Sequence, residues 1–199
     1  MAVAFPNASR ARILSVSREA RGQGVFKGMP LVKALKRCPG LTVLPPDAEG
    51  VEAASHYMAR MAARYTPLWE MARPGHIYLD LTGTRRLWGS VKDTAYCLRK
   101  EIHAGASLTG AVGVASNKLV SDIASRTGEG VWDVDPGEEA AFLAPLPVDR
   151  IPGIGRVRRK ILTEELTIRC IGQLAGLEVE RLKLVFGPQA VLIHQRALG

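Results

Sequence analysis

The sequence of 199 residues predicts an α+β fold that ends in an all-helical region. Short apolar runs typical of strands alternate with amphipathic helical stretches up to about residue 144. After Pro145 the strand pattern stops, and short helical stretches alternate with glycine turns. The composition is that of a folded protein, since 47% of the residues are hydrophobic and 23% are charged. We therefore expect a mixed α+β part and a helical part that meet near Pro145.

The first 65 residues predict two brief strands, a compact helix, a third strand and a longer helix. The strands are expected at 2–5, 12–16 and 41–44, with a turn at 6–9 between the first two. The compact helix runs from 30 to 37 and is ended by Pro39-Gly40. Val51, Met58 and Tyr65 then lie on one stripe of a helix, which predicts an amphipathic helix packed on the core.

The next 80 residues again alternate strand and helix. Strands are expected at 77–81 and 110–115, and a helix at 117–125. Ser90 followed by Asp93 predicts a capping box for a helix that runs to Ile102.

Charge and cysteine content restrict the classes of function. The formal net charge is +8, which favours polyanionic partners such as nucleic acid or an anionic membrane. Cys38, Cys97 and Cys170 are too widely spaced to suggest a disulfide framework or a zinc site, so a reducing cytoplasm is expected. No apolar run approaches the length of a spanning helix, so we expect a soluble protein.

One glycine-rich segment predicts a DNA-binding module. Ile151-Pro152-Gly153-Ile154-Gly155 stands directly before a helical stretch, as in a helix-hairpin-helix module. Gly153 and Gly155 would let the backbone turn so that successive N–H groups and the helix N-terminus face one phosphate. Four cations follow at once, namely Arg156, Arg158, Arg159 and Lys160. Such a contact reads the DNA backbone, so it is independent of sequence and sensitive to salt. The alternative is an ordinary helix-capping turn.

Several motifs, taken in order, carry a resemblance to a known family. They are Ser17-x-Glu19-Ala20-Arg21, then Gly24-Val25 followed by Gly28-Met29-Pro30, then Tyr78-Leu79-Asp80, Asn117-Lys118, and the hairpin. This order resembles the Y-family (translesion) DNA polymerases of the ImpB/MucB/SamB type over essentially the whole chain. The resemblance implies a fingers-like region at 1–64, a palm-like region at 65–144 and a helix-hairpin-helix thumb at 145–199.

The resemblance also implies a two-metal reaction in which carboxylates hold Mg²⁺. The adjacent Asp-Glu pair of the family falls on Gly75 and His76, neither of which is a hard-oxygen ligand. The remaining metal-binding Asp belongs to an N-terminal strand that this sequence does not contain. Glu70, expected in an irregular stretch, and Asp80 are poor substitutes, and His76 has no second ligand at suitable spacing. We therefore expect no catalytic residue, no metal and no cofactor, although the family would use Mg²⁺.

The nucleotide-handling positions depart from the family pattern as well. Arg18 stands where the family has Tyr, so Arg18, Arg21 and Lys118 are interpreted as a vestigial nucleotide-binding set. Pro188-Gln189-Ala190 replaces the usual Lys-x-Gly of a second hairpin at Phe186-Gly187. The motifs that match the family, namely the hairpin glycines and the basic residues after them, suit DNA binding more than DNA synthesis.

Three functions stay open at this point. The first is a catalytically inactive, DNA-binding relative in SOS-type damage tolerance, which recruits a catalytic polymerase or a sliding clamp. The second is a fragment of an active polymerase, and the third is a protein-interaction module on a polymerase scaffold. The family's first palm strand is missing from the sequence, so another chain, such as a second copy in a homo-oligomer, or a shifted segment is expected to fill its place. The family's little-finger domain is missing as well, which is expected to weaken DNA binding.

Overall fold

The computed structural model describes residues 1–8 and 10–199, which divide into two compact units at 1–55 and 56–199. Ser9, the last residue of the predicted turn at 6–9, lies outside the described residues. At the start of that turn, the Ala8 N–H donates to the Phe5 carbonyl at 3.2 Å.

The first unit is a small sheet with two short helices. Its elements are β1 (Ala2–Val3), β2 (Ser15–Val16), α1 (Arg18–Gly22), α2 (Leu31–Arg37) and β3 (Val43–Leu44), and helix α3 (Ala48–Tyr65) begins in it. The sheet order is β2-β1-β3, with β1 antiparallel to β2 and parallel to β3. The three predicted strands are therefore confirmed but shorter than expected, and helix α2 is confirmed. The core contains mainly small and aliphatic side chains, among them Ala4, Ile13, Val25, Leu31 and Ala34.

Helix α3 is amphipathic but packs less deeply than its sequence predicts. Tyr65 and Ala62 near its C-terminus are buried, whereas Val51 in its first turns is 49% exposed. Apolar periodicity therefore located the helix correctly and overestimated how much of its length is covered.

The second unit carries two two-stranded sheets and a series of helices. In chain order it contains β4 (Trp69–Arg73), β5 (His76–Leu79), α4 (Arg85–Trp88), α5 (Val91–Ala106), β6 (Ala111–Val114), α6 (Lys118–Ser125), β7 (Gly130–Asp133), α7 (Glu139–Leu143), α8 (Arg156–Lys160), α9 (Ile171–Ala175), α10 (Val179–Phe186) and α11 (Ala190–Leu198). Strands β4 and β5 form an antiparallel hairpin, and β6 pairs with β7 in parallel. Short 3-10 turns at Val148–Arg150 and Gly187–Gln189 and a π-helical segment at Ile161–Glu165 complete it.

Two strands were not predicted, and one prediction for this unit was wrong. Glu70 lies in strand β4, opposite Tyr78, and not in an irregular stretch. Strand β7 was missed because it has only four residues and follows helix α6 after a short turn. The predicted cap at Ser90 is confirmed, since its side chain accepts from the Asp93 N–H. Asn117, where a helix was expected to begin, caps helix α6 by accepting from the Val120 N–H.

A single apolar core joins helix α6 to the helical region that follows Pro145. Leu143, Leu162, Leu174 and Ile193 are almost completely buried in it, together with Val120 of α6. The region from 145 to 199 contains helices and turns without a strand, as predicted. Among the described residues, no helix is both long and apolar enough to cross a membrane.

Candidate nucleic-acid interface

The hairpin at 151–155 is fixed from below by two buried isoleucines. Ile151 and Ile154 are 1% and 6% exposed, and the Ile154 N–H donates to the Ile151 carbonyl at 3.1 Å. Gly153 has a φ of +103°, and a Cβ there would lie 2.9 Å from the Cδ1 atom of Ile193. Glycine is therefore required at 153 both by the backbone conformation and by the close packing of α11.

Gly155 is not required for the backbone turn, although the sequence spacing suggested that it would be. Its φ of −80° is open to any residue, so glycine is not needed there for the turn. A Cβ at 155 would meet no atom within 4 Å. The residue therefore keeps the surface in front of helix α8 clear, so that a ligand could approach the backbone closely.

Carbonyl groups of the hairpin are hydrogen-bonded within the protein, whereas two of its N–H groups are not, among the described residues. Arg196 donates to the Pro152 carbonyl at 2.6 Å, and Arg158 donates to the Gly153 carbonyl at 2.9 Å. Within the described residues, the N–H groups of Gly153 and Gly155 have no acceptor. The carbonyls thus point to arginines of the protein, and two backbone donors are available to an anion.

The four predicted DNA-binding cations have different surroundings. Arg158 also donates to the Gln189 side chain at 2.7 Å and lies over the Phe186 ring, 5.5 Å from its centre. Arg159 pairs with Asp149 at 3.0 Å, and Lys160 lies 3.8 Å from Glu164. Arg156 is exposed and has no side-chain partner among the described residues.

The second hairpin is joined to the first by Arg158. Phe186 is buried, Gly187 has a φ of +55°, and Pro188 and Gln189 continue as a 3-10 turn before α11. Because Arg158 contacts both hairpins, it is placed to hold them together, and Arg156 is the cation best placed to meet a phosphate.

The Gly75 and His76 positions lie at the turn between β4 and β5. Gly75 has a φ of +75° and supplies no side chain. The Nδ1 atom of His76 lies 3.2 Å from the Arg73 guanidinium, and a guanidinium can only donate. Nδ1 therefore accepts, and the ring proton is on Nε2.

Nε2 of His76 faces a carboxylate that the sequence did not lead us to expect. It lies 3.5 Å from Oδ1 of Asp122 on helix α6, and Asp122 also forms an ion pair with Arg126. Oδ1 is buried and has no well-formed hydrogen bond in the described part of the chain. The sequence spacing around His76 gave no indication of this neighbour. The two residues are 46 positions apart, and no local spacing relates them.

Burial and neighbouring cations keep His76 neutral. Burial lowers the pKa of His76 below its ordinary value of 6.5, and the adjacent Arg73 lowers it further, while Asp122 acts in the opposite direction. The same burial, with help from Asp122, raises the pKa of Tyr78, whose ring meets the imidazole edge to face at 4.8 Å.

Lys118 belongs to the same group of side chains. Its ammonium lies 2.8 Å from Glu70 and 5.5 Å from the centre of the Tyr78 ring. These contacts, together with those of His76, tie the β4–β5 hairpin to helix α6.

This arrangement does not fit the Mg²⁺ that the family would use. Gly75 offers no ligand, both nitrogens of His76 face protein groups, and Asp122, the buried carboxylate beside His76, is already paired with Arg126. The guanidinium groups of Arg73 and Arg126 contact His76 and Asp122, so they add positive charge beside these groups, which disfavours a cation. Among the described residues, no three His, Cys, Asp or Glu side chains are grouped to hold a metal ion.

Arg18 and Arg21 lie on helix α1 in the first unit. Ser17 caps this helix by accepting from the Ala20 N–H at 3.3 Å, and both arginines are exposed. Lys118 lies in the second unit, so their grouping as a nucleotide-binding set stays a prediction.

Solved structures of Y-family DNA polymerases share this fold of a mixed α+β region followed by a helix-hairpin-helix module, which gives the class of the protein. Residues 1–126 match the model of the impB/mucB/samB family, and residues 136–164 match the model of the IMS family HHH motif. The chain belongs to the impB/mucB/samB family of Y-family polymerase-like DNA repair proteins.

Relatives and solved structures agree with this assignment. The chain is 32% identical over 192 residues to DNA polymerase IV of Dehalococcoides mccartyi, which covers 96% of this chain and 49% of that protein. It is 33% identical over 193 residues to DNA polymerase IV of Stenotrophomonas maltophilia, covering 96% of this chain and 54% of the relative. The crystal structure of DinB from Sulfolobus solfataricus aligns with a TM-score of 0.89 at 27% identity, covering 98% of this chain and 58% of that one. An insertion ternary complex of Dbh DNA polymerase aligns with a TM-score of 0.84, also at 27% identity, covering 98% and 59%. The chain therefore spans about half the length of the relatives that it matches.

Proposed function

We propose that this chain binds the DNA backbone through the hairpin at 151–155 and has no metal site for nucleotide addition at the β4–β5 turn. It would then act in DNA damage tolerance as a DNA-binding accessory to a catalytic polymerase. The regions 1–64, 65–144 and 145–199 would correspond to fingers, palm and thumb. The observation that carries the proposal is the closed state of the β4–β5 turn, where His76 lies between Arg73 and Asp122.

The proposed DNA binding rests on the unpaired backbone N–H groups of the hairpin at 151–155 and on the cation beside them. Gly153 and Gly155 are exposed, their N–H groups have no acceptor in the described part of the chain, and the exposed Arg156 follows them directly. Backbone donors and one exposed cation suit a phosphate and distinguish no base. The expected binding is therefore independent of sequence and weakened by salt.

Primer extension tests the catalytic half. The purified chain is incubated with a fluorescent primer–template, nucleotides and Mg²⁺ or Mn²⁺, at a concentration at which anisotropy shows the DNA to be bound. We expect no extension, whereas a DNA polymerase IV relative in the same buffer extends the primer. Template-directed addition that Asp80→Ala abolishes would refute the proposal and favour a fragment of an active polymerase.

An Arg156→Gln variant tests the DNA-binding half. Removing one phosphate contact should weaken duplex binding by about three- to tenfold and lower the salt slope by about one. Arg86→Gln, which removes an equally exposed arginine from helix α4, is the matched control and should change neither. If Arg156→Gln also changed neither, the interaction-module alternative would gain support.

A further inference from the structure

The positive charge of the chain is concentrated in its first 46 residues. This segment holds eight of the 27 Lys and Arg residues and only Glu19 as an acidic residue. The remaining 153 residues hold 19 basic and 18 acidic residues, so they are nearly neutral as a whole. A local field of this kind attracts polyanions. The hairpin at 151–155, which motivated the proposed function, lies outside the segment.

Three of these cations line one open pocket in the first unit. Lys33, Lys36 and Arg37 surround it together with Met29, and its volume is about 310 Å³. The depression is wide open to solvent, so it offers a charged surface and not an enclosed cavity. We call this surface the α2 pocket.

The three cations are held in place by the opposite face of their helix. Leu31, Ala34 and Cys38 are buried in the core of the first unit, which fixes the orientation of α2. The cations occur at i, i+3 and i+4, so they share the other face. The Arg37 guanidinium is further positioned by Gly24, since a Cβ at 24 would lie 2.7 Å from its Nε atom.

The protein itself does not neutralise the α2 pocket. Within the described residues, Lys33, Lys36 and Arg37 form no ion pair with a carboxylate. Like charges three and four residues apart destabilise a helix. The helix dipole favours Lys36 and Arg37 in the last turn, but it gives no advantage to Lys33 in the middle. A bound anion would remove this repulsion.

An exposed aromatic residue precedes the pocket residue Met29 by three positions in the chain. Phe26 is 55% exposed, and the turn that joins it to Met29 is closed by the Met29 N–H, which donates to the Phe26 carbonyl at 3.1 Å. Cations that track a backbone, with an aromatic ring available for a base, are the combination that binds single-stranded nucleic acid.

We propose that the α2 pocket binds the phosphates of a single-stranded DNA segment, as a second nucleic-acid contact separate from the hairpin at 151–155. Lys33, Lys36 and Arg37 contact successive phosphates, and Phe26 stacks on an adjacent base. The three cations bind phosphates of a flexible single strand, so this contact does not require duplex DNA.

Anisotropy of the full chain with fluorescein-labelled dT12 tests the proposal. Lys33→Gln/Lys36→Gln/Arg37→Gln should weaken binding by at least about tenfold at 50 mM salt and lower the salt slope by about two, since each single-strand contact contributes about 0.7. Arg85→Gln/Arg86→Gln/Lys92→Gln removes the same charge from exposed helical positions of the second unit and should stay within about twofold of the parent. Arg156→Gln should keep most of its dT12 affinity, so the two sites are distinguishable.

Two outcomes would overturn the proposal. The first is a triple variant that binds dT12 as the parent does, or no more weakly than the matched control variant. The second is competition by inorganic tripolyphosphate as strong as by dT12 at equal phosphate concentration, which would assign the pocket to a free polyphosphate. If the triple variant does not fold, lysine acetylation of the parent decides: dT12 should protect Lys33 and Lys36 and leave Lys92 reactive, and reactive Lys33 and Lys36 would contradict the proposal.

Discussion

The two glycine turns of the second unit show how similar local geometry leads to opposite chemistry. Gly75 and Gly153 both have positive φ values, of +75° and +103°. At Gly75 the next side chain, His76, turns inward and is held by Arg73 and Asp122. At Gly153 the carbonyls are satisfied by arginines, and N–H groups are left for an outside partner. A glycine turn becomes a binding site only where the protein leaves its polar groups unpaired.

Gly153→Ala compared with Gly75→Ala should separate the two turns most clearly. A left-handed conformation costs a non-glycine residue about 1–3 kcal/mol, and the contact with Ile193 adds a similar amount at 153 only. We expect Gly153→Ala to destabilise the protein by about 3 kcal/mol or more and to weaken DNA binding at least about tenfold. Gly75→Ala should cost about 1 kcal/mol and leave DNA affinity unchanged. Urea unfolding and anisotropy measure both, and equal effects at the two turns would contradict the distinction.

His76→Gln tests whether the β4–β5 turn is closed by a neutral imidazole. At pH 7.5 the substitution should cost about 1–2 kcal/mol, because it disturbs the contacts with Arg73 and Asp122. The folded-state pKa of His76 is depressed, so the unfolded chain binds a proton more readily. This contribution to stability is therefore complete above the ordinary pKa of 6.5 and is lost as pH falls below it.

Comparing the pH dependence of stability in the parent and in His76→Gln isolates the contribution of His76 from that of the other histidines. Between pH 7.5 and 5 the parent should lose more stability in urea unfolding than His76→Gln, which keeps His56, His103 and His194. Identical losses in the two proteins would show that His76 has no such role. DNA affinity at pH 7.5 should be the same for both.

Arg158→Gln, compared with Arg156→Gln, distinguishes an arginine that positions the hairpin from an arginine that contacts DNA. Losing the bonds to Gly153 and Gln189 should cost about 1 kcal/mol and weaken DNA binding a few-fold. The salt slope should stay near the parent value, because the Arg158 guanidinium is already engaged by Gly153 and Gln189. Arg156→Gln should do the reverse, lowering the slope without a change in stability. A slope that falls by about one in Arg158→Gln would make Arg158 a direct contact.

Local sequence signals predicted the elements that have strong local causes. Ser90 caps its helix as expected, helix α6 begins directly after Asn117 as expected, and the strand pattern ends after Pro145. Strand β4 was missed because Trp69-Glu70-Met71-Ala72-Arg73 has no clear alternation of apolar and polar residues. Its pairing with β5 depends on the tight turn at Gly75.

The candidate site was predictable only where it is local. The hairpin at 151–155 is a continuous segment, so its residues could be named from the sequence. The pairing of His76 with Asp122 depends on the packing of the β4–β5 hairpin against helix α6, across 46 residues of chain. The internal role of Arg158 depends likewise on Gln189, which belongs to a different turn. A run of basic residues in the sequence does not show which of them form hydrogen bonds within the protein and which stay available to a ligand.

Backbone amide NMR of the full chain during addition of a primer–template duplex with Mg²⁺ tests the central claim most directly. The amides of Gly153, Gly155 and Arg156 should shift with the DNA, because they are the available donors of the hairpin. Those of Gly75 and His76 should keep their positions. Shifts at Gly75 and His76 that require both DNA and Mg²⁺, with no change at the hairpin, would contradict the account.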